Sequence, residues 1–266
     1  MVVGTGRAVN LFERMFDDAA IFPPGNAPMA AAVADHGEQL RGPYGPLVGP
    51  FVCSAARLSE LTAELEAQGT ALELALVTGH TEFDFAVDAA LAETRISLRA
   101  IEVRMEPDDA APVAPEGVDL FLEYPWDATP AIPAGAARKM RTGGLDASHF
   151  PTDEELAQGI HSCVSNDIPF KLTAGLHDAI RWSDTVTGFE HHGFLNIVLA
   201  THAALGGGDT EQLSTILDNR NSAQIADRIR QLTDDESLAI RGKFRSFGTC
   251  SVADPINDLQ ALGLPD

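Results

Sequence analysis

Four short runs of sequence decide the fold of this chain: AIEVRM (residues 100–105), VDLFLEY (118–124), ARKMRT (137–142) and IPFKLTA (168–174). Each run is largely apolar, as a buried strand should be, and each also contains charged residues. Because side chains alternate faces along a strand, Glu102 and Arg104 share one face of their strand, and Lys139 and Arg141 share one face of theirs. Burying charge is costly unless the charge is paired or used. Charged groups that recur at the C-terminal ends of successive strands are typical of the active site of an α/β barrel.

Eight strand candidates alternate with helical segments along the chain, which predicts parallel strands joined by crossover helices. The candidates are residues 19–23, 50–54, 72–78, 98–105, 118–124, 137–142, 168–174 and 244–250. Eight strands close a barrel, and a chain of 266 residues matches the usual length of that fold, about 250 residues. We therefore predict an α/β fold, a (β/α)8 TIM-like barrel formed as a single domain by residues 1–266.

The helical segments of the chain differ in clarity. Residues 54–68 place leucines at helical spacing, residues 152–155 contain a capping box, and residues 254–262 follow the last strand as a final barrel helix should. The crossovers 106–117 and 125–135 are short and rich in Pro and Ala. These two crossovers therefore predict a loop or a single helical turn.

The stretch after the seventh strand is far longer than one crossover requires. Residues 178–243 contain at least three predicted helices, at 193–205, 210–217 and 222–232. We predict that residues 178–243 form a helical excursion, a helical elaboration after strand 7 that covers part of the pocket. Residues 182–190 are expected to be its mobile part.

The first residues predict an amphipathic helix and not a signal peptide. This segment mixes charged with apolar side chains: Arg7, Leu11, Phe12, Glu13, Arg14 and Phe16. Asp18 is expected at the end of this helix, before the first strand, where it is a candidate substrate-binding residue or, alternatively, only a helix-end or strand-start residue. Residues 22–25 (FPPG) predict a rigid turn where the first strand meets the pocket.

The composition excludes several classes of protein. A formal net charge of -21 and a pI near 4.6 argue against nucleic acid and against an anionic membrane surface as partners, since both need a basic surface. No run of about 20 apolar residues predicts a membrane span. Cys53, Cys163 and Cys250 are odd in number and widely spaced, which predicts reduced thiols and a cytoplasmic protein. The oligomeric state is left open, a homo-oligomer included.

Motifs for several cofactors and reactions do not occur in the sequence. There is no Gly-x-Gly-x-x-Gly after a strand, no Walker sequence, no Gly-x-Ser-x-Gly and no cysteine cluster. No nucleotide cofactor is therefore expected, and serine hydrolysis and iron–sulfur chemistry lose support. Cys250, on the last strand, is expected to be a small packing residue.

Lys171 is the first candidate for a catalytic group. It lies in mid-strand between Phe170 and Leu172, where desolvation is expected to lower its pKa. A lysine with a lowered pKa is a base or a Schiff-base nucleophile. The alternative is a structural ion pair with a glutamate at a strand end.

The preceding strand repeats this arrangement with Lys139 and Arg141, followed by the turn of residues 142–144. Arg suits bidentate binding of a carboxylate or phosphate, and the glycine-rich turn offers backbone N–H groups beside it. The alternative role of this pair is to neutralise nearby glutamates. With Arg104 and Thr173, these residues are the candidates for binding substrate.

Glu102 and Glu123 stand near the ends of adjacent strands, so their carboxylates are expected to lie close together. Such a pair can share a proton, act as acid and base, or bind a divalent metal. On the inward faces, two acids stand against four bases. This count predicts a locally positive pocket inside an acidic protein, and hence an anionic small-molecule ligand.

Two histidines complete the predicted site. His177 directly follows the seventh strand, and His192 begins an apolar helix. Either is a candidate proton-transfer group near neutral pH, and His192 is also counted among the substrate-binding candidates. Both are candidate ligands, with Glu102 and Glu123, for Zn or Mn. Spacing alone does not choose between His191 and His192, and the other histidines are expected to be surface or structural residues.

Several segments are similar to a family of uncharacterised bacterial proteins. The similarity rests on DDAAIFPPG (residues 17–25), KMRTGG (139–144), PFKLTAGLH (169–177), HGFLN (192–196), FGTCS (247–251) and Asp254-Pro255. It covers most of the chain and implies that these motifs belong together, but it implies no reaction. The Lys and Glu residues on successive strand ends also resemble those of α/β-barrel lyases and enolase-type enzymes.

Together these observations predict an enzyme that acts on a small carboxylated or phosphorylated metabolite by lyase or isomerase chemistry. Lys171 is expected as base or nucleophile, Glu102 and Glu123 as acid–base groups, and His177 as a proton shuttle. One alternative is metal-dependent hydrolysis through Glu and His ligands, with a divalent metal as cofactor. Another is a barrel that binds a ligand without catalysis.

Overall fold

The centre of the molecule is a closed barrel of eight parallel strands in a computed structural model that describes residues 11–128, 131–144 and 146–264. The barrel strands are β1 (Phe16–Asp18), β2 (Val48–Ser54), β3 (Leu72–Gly79), β4 (Ile96–Arg104), β5 (Asp119–Glu123), β6 (Ala136–Arg141), β7 (Phe170–Thr173) and β10 (Phe244–Thr249). Between β7 and β10, the strands β8 (Trp182–Ser183) and β9 (Glu190–His191) form a separate antiparallel hairpin. Their order around the barrel is β1-β10-β7-β6-β5-β4-β3-β2, and β2 pairs with β1 to close it. The predicted (β/α)8 TIM-like barrel is therefore confirmed.

Helices cover the outside of the barrel. In the described residues they are α1 (Met29–Arg41), α2 (Leu58–Gln68), α3 (Phe83–Ala92), α4 (Asp153–Ser165), α5 (Phe194–Leu205), α6 (Thr210–Leu217), α7 (Ser222–Arg230), α8 (Asp234–Lys243) and α9 (Ala253–Ala261). The predicted capping box is present at the start of α4, between Thr152 and Glu155. None of these helices is both long enough and apolar enough to cross a membrane.

The two short crossovers also match their sequences. Between β4 and β5, and between β5 and β6, the described residues form turns and irregular structure and no helix. Their prolines lack the N–H groups that a helix interior needs, which explains the difference from the helical crossovers elsewhere. The connections from β4 to β5 and from β5 to β6 are therefore made without a helix in the described residues.

Alternation along the strands separates an outer face from an inner face, as predicted. In β4, the outward Ile101 and Val103 are fully buried in the cluster that includes the apolar faces of α2 and α3. A small apolar cluster fills one half of the barrel interior: Val52, Ala75, Ala100, Phe121 and Ala137. The other half of the interior contains charged side chains from β1, β4, β6 and β7, and these form the floor of the candidate site.

The first strand lies earlier than predicted. β1 spans Phe16–Asp18, whereas residues 19–23 leave the sheet and enter a turn in which Phe22 N–H donates to the Ala19 carbonyl at 2.9 Å. The prolines at 23 and 24 have no N–H to donate to a neighbouring strand, so the ladder ends before them. The expected strand over residues 19–23 was therefore wrong.

Among the described residues before β1, residues 11–14 form a turn and not part of the predicted amphipathic helix. The predicted helix residue Arg7 lies outside the described residues. Phe12 and Phe16 pack edge-on against Phe194 of α5, with ring centroids 6.4 Å and 5.6 Å apart. The apolar residues that suggested a helix thus serve to attach this segment to the outside of the barrel.

Residues 178–243 contain the β8–β9 hairpin and helices α5 to α8. Phe194 at the start of α5 stacks on Phe247 of β10 at 5.3 Å, so α5 packs on the flank of the barrel. Among the described residues, the pocket is lined from this region by Trp182, Asp184 and His191, and by none of the residues of α5 to α8. The excursion therefore reaches the pocket through its hairpin segment, whereas its helices use their apolar faces against the barrel wall and against each other. The mobility of residues 182–190 stays a prediction.

Candidate active site

A pocket of about 770 Å3 opens at the C-terminal ends of the barrel strands. Its wall combines strand ends with the loops that follow them, as ligand sites in α/β barrels do. The predicted residues that line it are Glu102, Arg104, Glu123, Lys139, Arg141, Thr173 and His177. Lys171 lies behind Glu102 in the barrel interior, and Asp18 and His192 do not reach the pocket.

Charged side chains of alternating sign form one continuous ion-pair chain across the barrel. Its members, in order, are Asp17, Lys171, Glu102, Lys139, Glu123 and Arg141. Glu102 divides its oxygens between the lysines, with Oε1 2.5 Å from Lys171 Nζ and Oε2 2.9 Å from Lys139 Nζ. Glu123 Oε2 is 2.6 Å from Lys139 Nζ, and Glu123 Oε1 is 3.1 Å from Arg141 Nε. Each inner member therefore touches opposite charge on both sides.

Strand register explains why these side chains meet. Glu123 of β5, Lys139 of β6 and Lys171 of β7 stand opposite one another in neighbouring ladders. Two lysines side by side repel each other, but Glu102 reaches between them from β4 and contacts both. In a barrel of eight strands, side chains from strands that are not neighbours fill the interior together.

The surroundings of Lys171 contradict the lowered pKa on which its predicted chemical role depends. Its side chain is 1% exposed, and this burial by itself lowers the pKa of the ammonium. The carboxylates of Asp17 and Glu102 outweigh burial and raise the pKa of Lys171 above its usual value. The amine stays protonated near neutral pH and has no lone pair for proton abstraction or imine formation. The alternative weighed from the sequence, a structural ion pair, fits its surroundings.

The glutamates are likewise held in one protonation state. Burial opposes ionisation of Glu102, but Lys139 and Lys171 lower its pKa to about 2. For Glu123, too, burial is outweighed, and Lys139 with Arg141 lowers the pKa below its usual value. Against its own burial, Lys139 has a raised pKa because it faces both glutamates. Neither glutamate can exchange protons readily near neutral pH, which corrects their predicted acid–base role.

Asp17 is the member of the ion-pair chain that the sequence did not reveal. Its Oδ2 contacts Lys171 Nζ and lies 2.7 Å from Ser246 Oγ, while Oδ1 has no hydrogen-bond partner among the described residues. Burial raises the pKa of Asp17 against the attraction of Lys171. Gly49 of β2 leaves the space that this carboxylate occupies, because a Cβ at position 49 would overlap Oδ1.

Asp18 points away from the pocket, on the outer side of β1. Its Oδ2 is 3.0 Å from Nδ1 of His36 in α1, and its Oδ1 accepts from the Ala20 backbone N–H at 3.1 Å. Alternation explains this position, since Asp17 takes the inward direction. The prediction of Asp18 as a substrate-binding residue is therefore corrected, and so is its place at a helix end.

Arg104 differs from the other cations of the site. It is the last residue of β4, lines the pocket and is exposed there. Lys139, Arg141 and Lys171 all contact carboxylates, but Arg104 forms no ion pair within residues 11–128, 131–144 and 146–264. A planar guanidinium that faces a pocket is suited to bidentate binding of a carboxylate or phosphate.

His177 lies at the pocket beside β10. Its Nδ1 is 3.2 Å from Thr249 Oγ1 and 3.8 Å from Asp254 Oδ2, and both ring nitrogens are 3.7 Å from Cys250 Sγ. Burial lowers the pKa of His177 below its usual value. A neutral imidazole in this position has one nitrogen available as a proton acceptor.

Of the two adjacent histidines, His191 faces the pocket and His192 does not. His192 is buried, with Nδ1 3.0 Å from an Arg181 guanidinium nitrogen and Nε2 2.9 Å from the Pro151 carbonyl oxygen. Burial lowers the pKa of His192 to about 4. Its predicted roles in substrate and metal binding are corrected, since all its contacts are structural. His149, expected to be a surface or structural residue, lines the pocket.

No family model, curated protein or solved structure matches this chain. The similarity to the uncharacterised bacterial family stays a prediction. The segments on which that similarity rests do meet in space, since residues from 17–25, 139–144 and 169–177 all line the pocket.

The residues present do not fit the divalent metal considered from the sequence. Among the described residues, no three His, Cys, Asp or Glu side chains lie together as a metal site requires. Of the four candidate ligands, Glu102 and Glu123 are occupied by lysine ammonium groups. His192 contacts Arg181 elsewhere, and the carboxylate nearest His177, Asp254, is 3.8 Å from its Nδ1 and does not complete a set of three ligands.

The charge of the site is less positive than the sequence predicted. With Asp17 included, three carboxylates stand against the four cations Arg104, Lys139, Arg141 and Lys171, which leaves one positive charge. That charge belongs to Arg104, because every other cation of the set has a carboxylate neighbour. Acidic residues at the rim, such as Asp146 and Asp184, surround this single cation.

Proposed function

We propose that the protein is an enzyme that binds a small carboxylated or phosphorylated metabolite in this pocket and transforms it by lyase or isomerase chemistry. Arg104 and Arg141 hold the acid group, and Thr173 on the same wall offers a hydroxyl. Lys139 stabilises negative charge that develops on the substrate, and His177 transfers the proton. The barrel fold is compatible with an enzyme, and the assignment rests on the pocket rather than on the fold.

The guanidinium of Arg104 is the observation that supports an anionic ligand most strongly. The other cations of the site, Lys139, Arg141 and Lys171, each contact a carboxylate. Arg104 is exposed to the pocket and contacts no carboxylate among the described residues. A ligand carboxylate or phosphate supplies the missing opposite charge. A charge-assisted hydrogen bond of this kind contributes about 1.5–3 kcal/mol.

Lys139 and His177 supply the two functions that proton abstraction beside a carbonyl needs. Lys139 stays protonated and lines the pocket, so its ammonium can stabilise an enolate-like oxygen as charge develops there. His177 is neutral and accepts the proton. Glu102 and Glu123 fix the position of Lys139 without exchanging protons themselves.

We include in this proposal a reducing compartment such as the cytoplasm. Cys53, Cys163 and Cys250 are all unbonded, which is usual where thiols stay reduced. The net charge of -21 supports the absence of nucleic acid and anionic membranes from the partners.

Exchange of substrate protons with solvent tests the proposed chemistry without knowledge of the product. Small carboxylated and phosphorylated metabolites are incubated with the protein in D2O, and loss of carbon-bound protons is followed by NMR. We expect at least one compound to lose the proton next to its carbonyl. His177→Gln should slow this exchange on the order of 100-fold, since it removes the proton acceptor.

Matched variants separate catalysis from binding. Arg104→Gln should weaken the apparent affinity, while Arg41→Gln, a change at an exposed arginine in the last turn of α1, should have no effect. Exchange that persists unchanged in His177→Gln contradicts the assigned chemistry. Anion binding without any exchange across the panel would instead favour the barrel that binds a ligand without catalysis.

A further inference from the structure

Cys250 and His177 form a thiol–imidazole pair at the wall of the pocket. Cys250 follows β10, is half-buried and lines the pocket together with His177. Its sulfur is 3.7 Å from each ring nitrogen, so it lies over the face of the imidazole, and a rotation of either side chain is needed to bring the thiol into line with Nε2. The other two thiols of the chain, Cys53 and Cys163, are fully buried in the packing of the barrel. Cys250 is thus the cysteine that a pocket ligand can reach.

The hydrogen bonds around Thr249 fix the tautomer of His177. The Thr249 hydroxyl lies 3.1 Å from the Ser251 carbonyl oxygen, which accepts only, so the hydroxyl donates its single proton there. Toward His177 Nδ1, at 3.2 Å, the same hydroxyl oxygen must then accept. Nδ1 therefore carries the ring proton. Nε2 keeps its lone pair, and this nitrogen is 3.7 Å from the Cys250 sulfur.

Asp254 completes the arrangement on the far side of the imidazole. Its Oδ2 is 3.8 Å from His177 Nδ1, so it favours the positive charge that His177 gains on taking a proton. Asp254 also lies in the first turn of α9, and Cys250 comes three residues before that helix begins. The nucleophile and the orienting groups are held by the end of β10 and the start of α9, and the base follows β7.

We propose that Cys250 is a nucleophile of this pocket, activated by His177 and directed at a carbonyl compound that also has an acid group. The inference deepens the proposed function, on which it rests for the acid group held by Arg104. It changes the expected role of Cys250 from packing to chemistry.

The covalent step balances without a further reactant. The Cys250 thiol gives its proton to His177 Nε2, and the sulfur forms a bond to the carbonyl carbon. The π electrons of the C=O bond move to the oxygen, which takes the proton back from His177. The product is a hemithioacetal or hemithioketal, in which no atom is oxidised or reduced. Reversal of the same proton transfers releases the ligand.

Two alkylating agents of nearly equal size test the pair on the intact chain. Neutral iodoacetamide and anionic iodoacetate both form a bond to sulfur with loss of iodide, and mass spectrometry of peptides gives the rate at each cysteine. We expect Cys250 to react while Cys53 and Cys163 in the same molecule do not. In His177→Gln, the iodoacetamide rate at Cys250 should fall about tenfold or more, because the proton acceptor is lost.

His202→Gln is the matched control, since His202 pairs with Glu236 on the outer helices and should leave the rate unchanged. If His177→Gln does not fold, Thr249→Val removes the oxygen that orients the imidazole and should also slow the reaction. A Cys250 as unreactive as the buried cysteines overturns the proposal. So does a rate that neither substitution changes by more than twofold.

The ratio of the two reagents keeps this proposal separate from the proposed function. Relative to a small free thiol, Cys250 should prefer iodoacetate, and Arg104→Gln should remove that preference. If the alkylation rate at Cys250 depends on His177 but iodoacetate is not preferred, the nucleophile is supported and the acid group assigned to its ligand is overturned. The opposite result would support anion binding and overturn the nucleophile.

Discussion

Lys171 shows how one side chain can be indispensable without being reactive. Its ammonium touches Asp17 on one side and Glu102 on the other, and all three groups are buried. Burial is the largest single influence on the pKa of the amine and lowers it, but the two carboxylates together outweigh burial and keep the amine protonated. The function of Lys171 is then to make two buried acids tolerable in the barrel interior.

We expect Lys171→Met to lower the free energy of unfolding by about 3–5 kcal/mol, because it leaves the carboxylates of Asp17 and Glu102 buried without their shared cation. Urea unfolding at pH 7 measures the change. Lys243→Met is a matched control, since Lys243 pairs with the fully exposed Asp167 and its loss should cost within about 1 kcal/mol. Equal stabilities of Lys171→Met and Lys243→Met would contradict the structural role.

Single residues also show what the sequence could and could not predict. Alternation was enough to place Glu102, Glu123, Lys139 and Arg141 on the inward face, because a strand period of two leaves no other choice. It could not give the sign of the pKa shift of Lys171, which depends on partners 69 and 154 positions away in the chain. Desolvation is visible in a sequence, but long-range pairing is not.

At the level of elements, β1 and β2 fit together at Asp17 through the glycine at position 49. Gly49 has no side chain, and the carboxylate of Asp17 uses that space. The sequence indicated a strand at residues 19–23, because its apolar residues there are followed by a turn. The strand lies instead at Phe16-Asp17-Asp18, where two consecutive acidic residues, a type that is rarely buried, give no local indication of a strand.

Gly49→Ala should destabilise the protein by about 1–3 kcal/mol, because the added methyl group meets Asp17 Oδ1 and backbone or side chain must shift. Gly79→Ala at the end of β3 is the control, since a Cβ there meets nothing within 4 Å. That control should be neutral or slightly stabilising, by about 0.5 kcal/mol. Thermal or urea unfolding of both variants measures the change in stability. A Gly49→Ala variant as stable as wild type would contradict the role of this glycine in making space for Asp17.

A second buried polar cluster stabilises the base of the β8–β9 hairpin, which Arg181 precedes and His192 follows. Arg181 contacts Asp153 at 2.7 Å and His192 at 3.0 Å, and His192 holds the Pro151 carbonyl with its other nitrogen. Burial lowers the pKa of His192 to about 4 and raises that of Asp153 to about 6. The two groups therefore respond to acid in opposite directions.

His192 binds its proton more weakly in the folded than in the unfolded protein, so acid favours unfolding between its unfolded pKa of 6.5 and its folded value of about 4. Its contribution to the free energy of unfolding should fall by about 2 kcal/mol from pH 7.5 to pH 5. Protonation of Asp153 raises the free energy of unfolding as the pH falls, and it does so in both wild type and His192→Gln. Urea unfolding at both pH values should therefore show a smaller acid-induced loss in His192→Gln, and identical pH dependence would contradict the assignment.

At the scale of the whole molecule, the barrel interior is divided between an apolar half and a charged half. The apolar half is closed by Val52, Ala75, Ala100, Phe121 and Ala137. The charged half ends at the pocket, where the ion-pair chain leaves Arg104 without a carboxylate partner in the described part of the chain. The arrangement places one available positive charge inside a protein whose net charge is -21. Such a contrast favours a specific small anion over non-specific binding of polyanions.

The barrel itself was predictable because eight alternating strand candidates leave few other topologies. The position of the helices in the long segment after β7 was not predictable. Their apolar faces are equally suited to packing on the flank of the barrel and to covering the pocket. Phe194 settles the matter by stacking on Phe247 and contacting Phe16. Pairing between residues so far apart in the chain is outside the reach of local patterns.

Calorimetric titration with inorganic phosphate and with malonate, in a buffer free of other phosphates and carboxylates, tests the central claim most directly. Wild type and Arg41→Gln should bind at least one of these anions with the same Kd. Arg104→Gln should raise that Kd about 10- to 100-fold, as expected for the loss of a charge-assisted hydrogen bond of about 1.5–3 kcal/mol. Equal affinity in wild type and Arg104→Gln would show that the pocket does not hold its ligand through the free guanidinium, and would contradict the account.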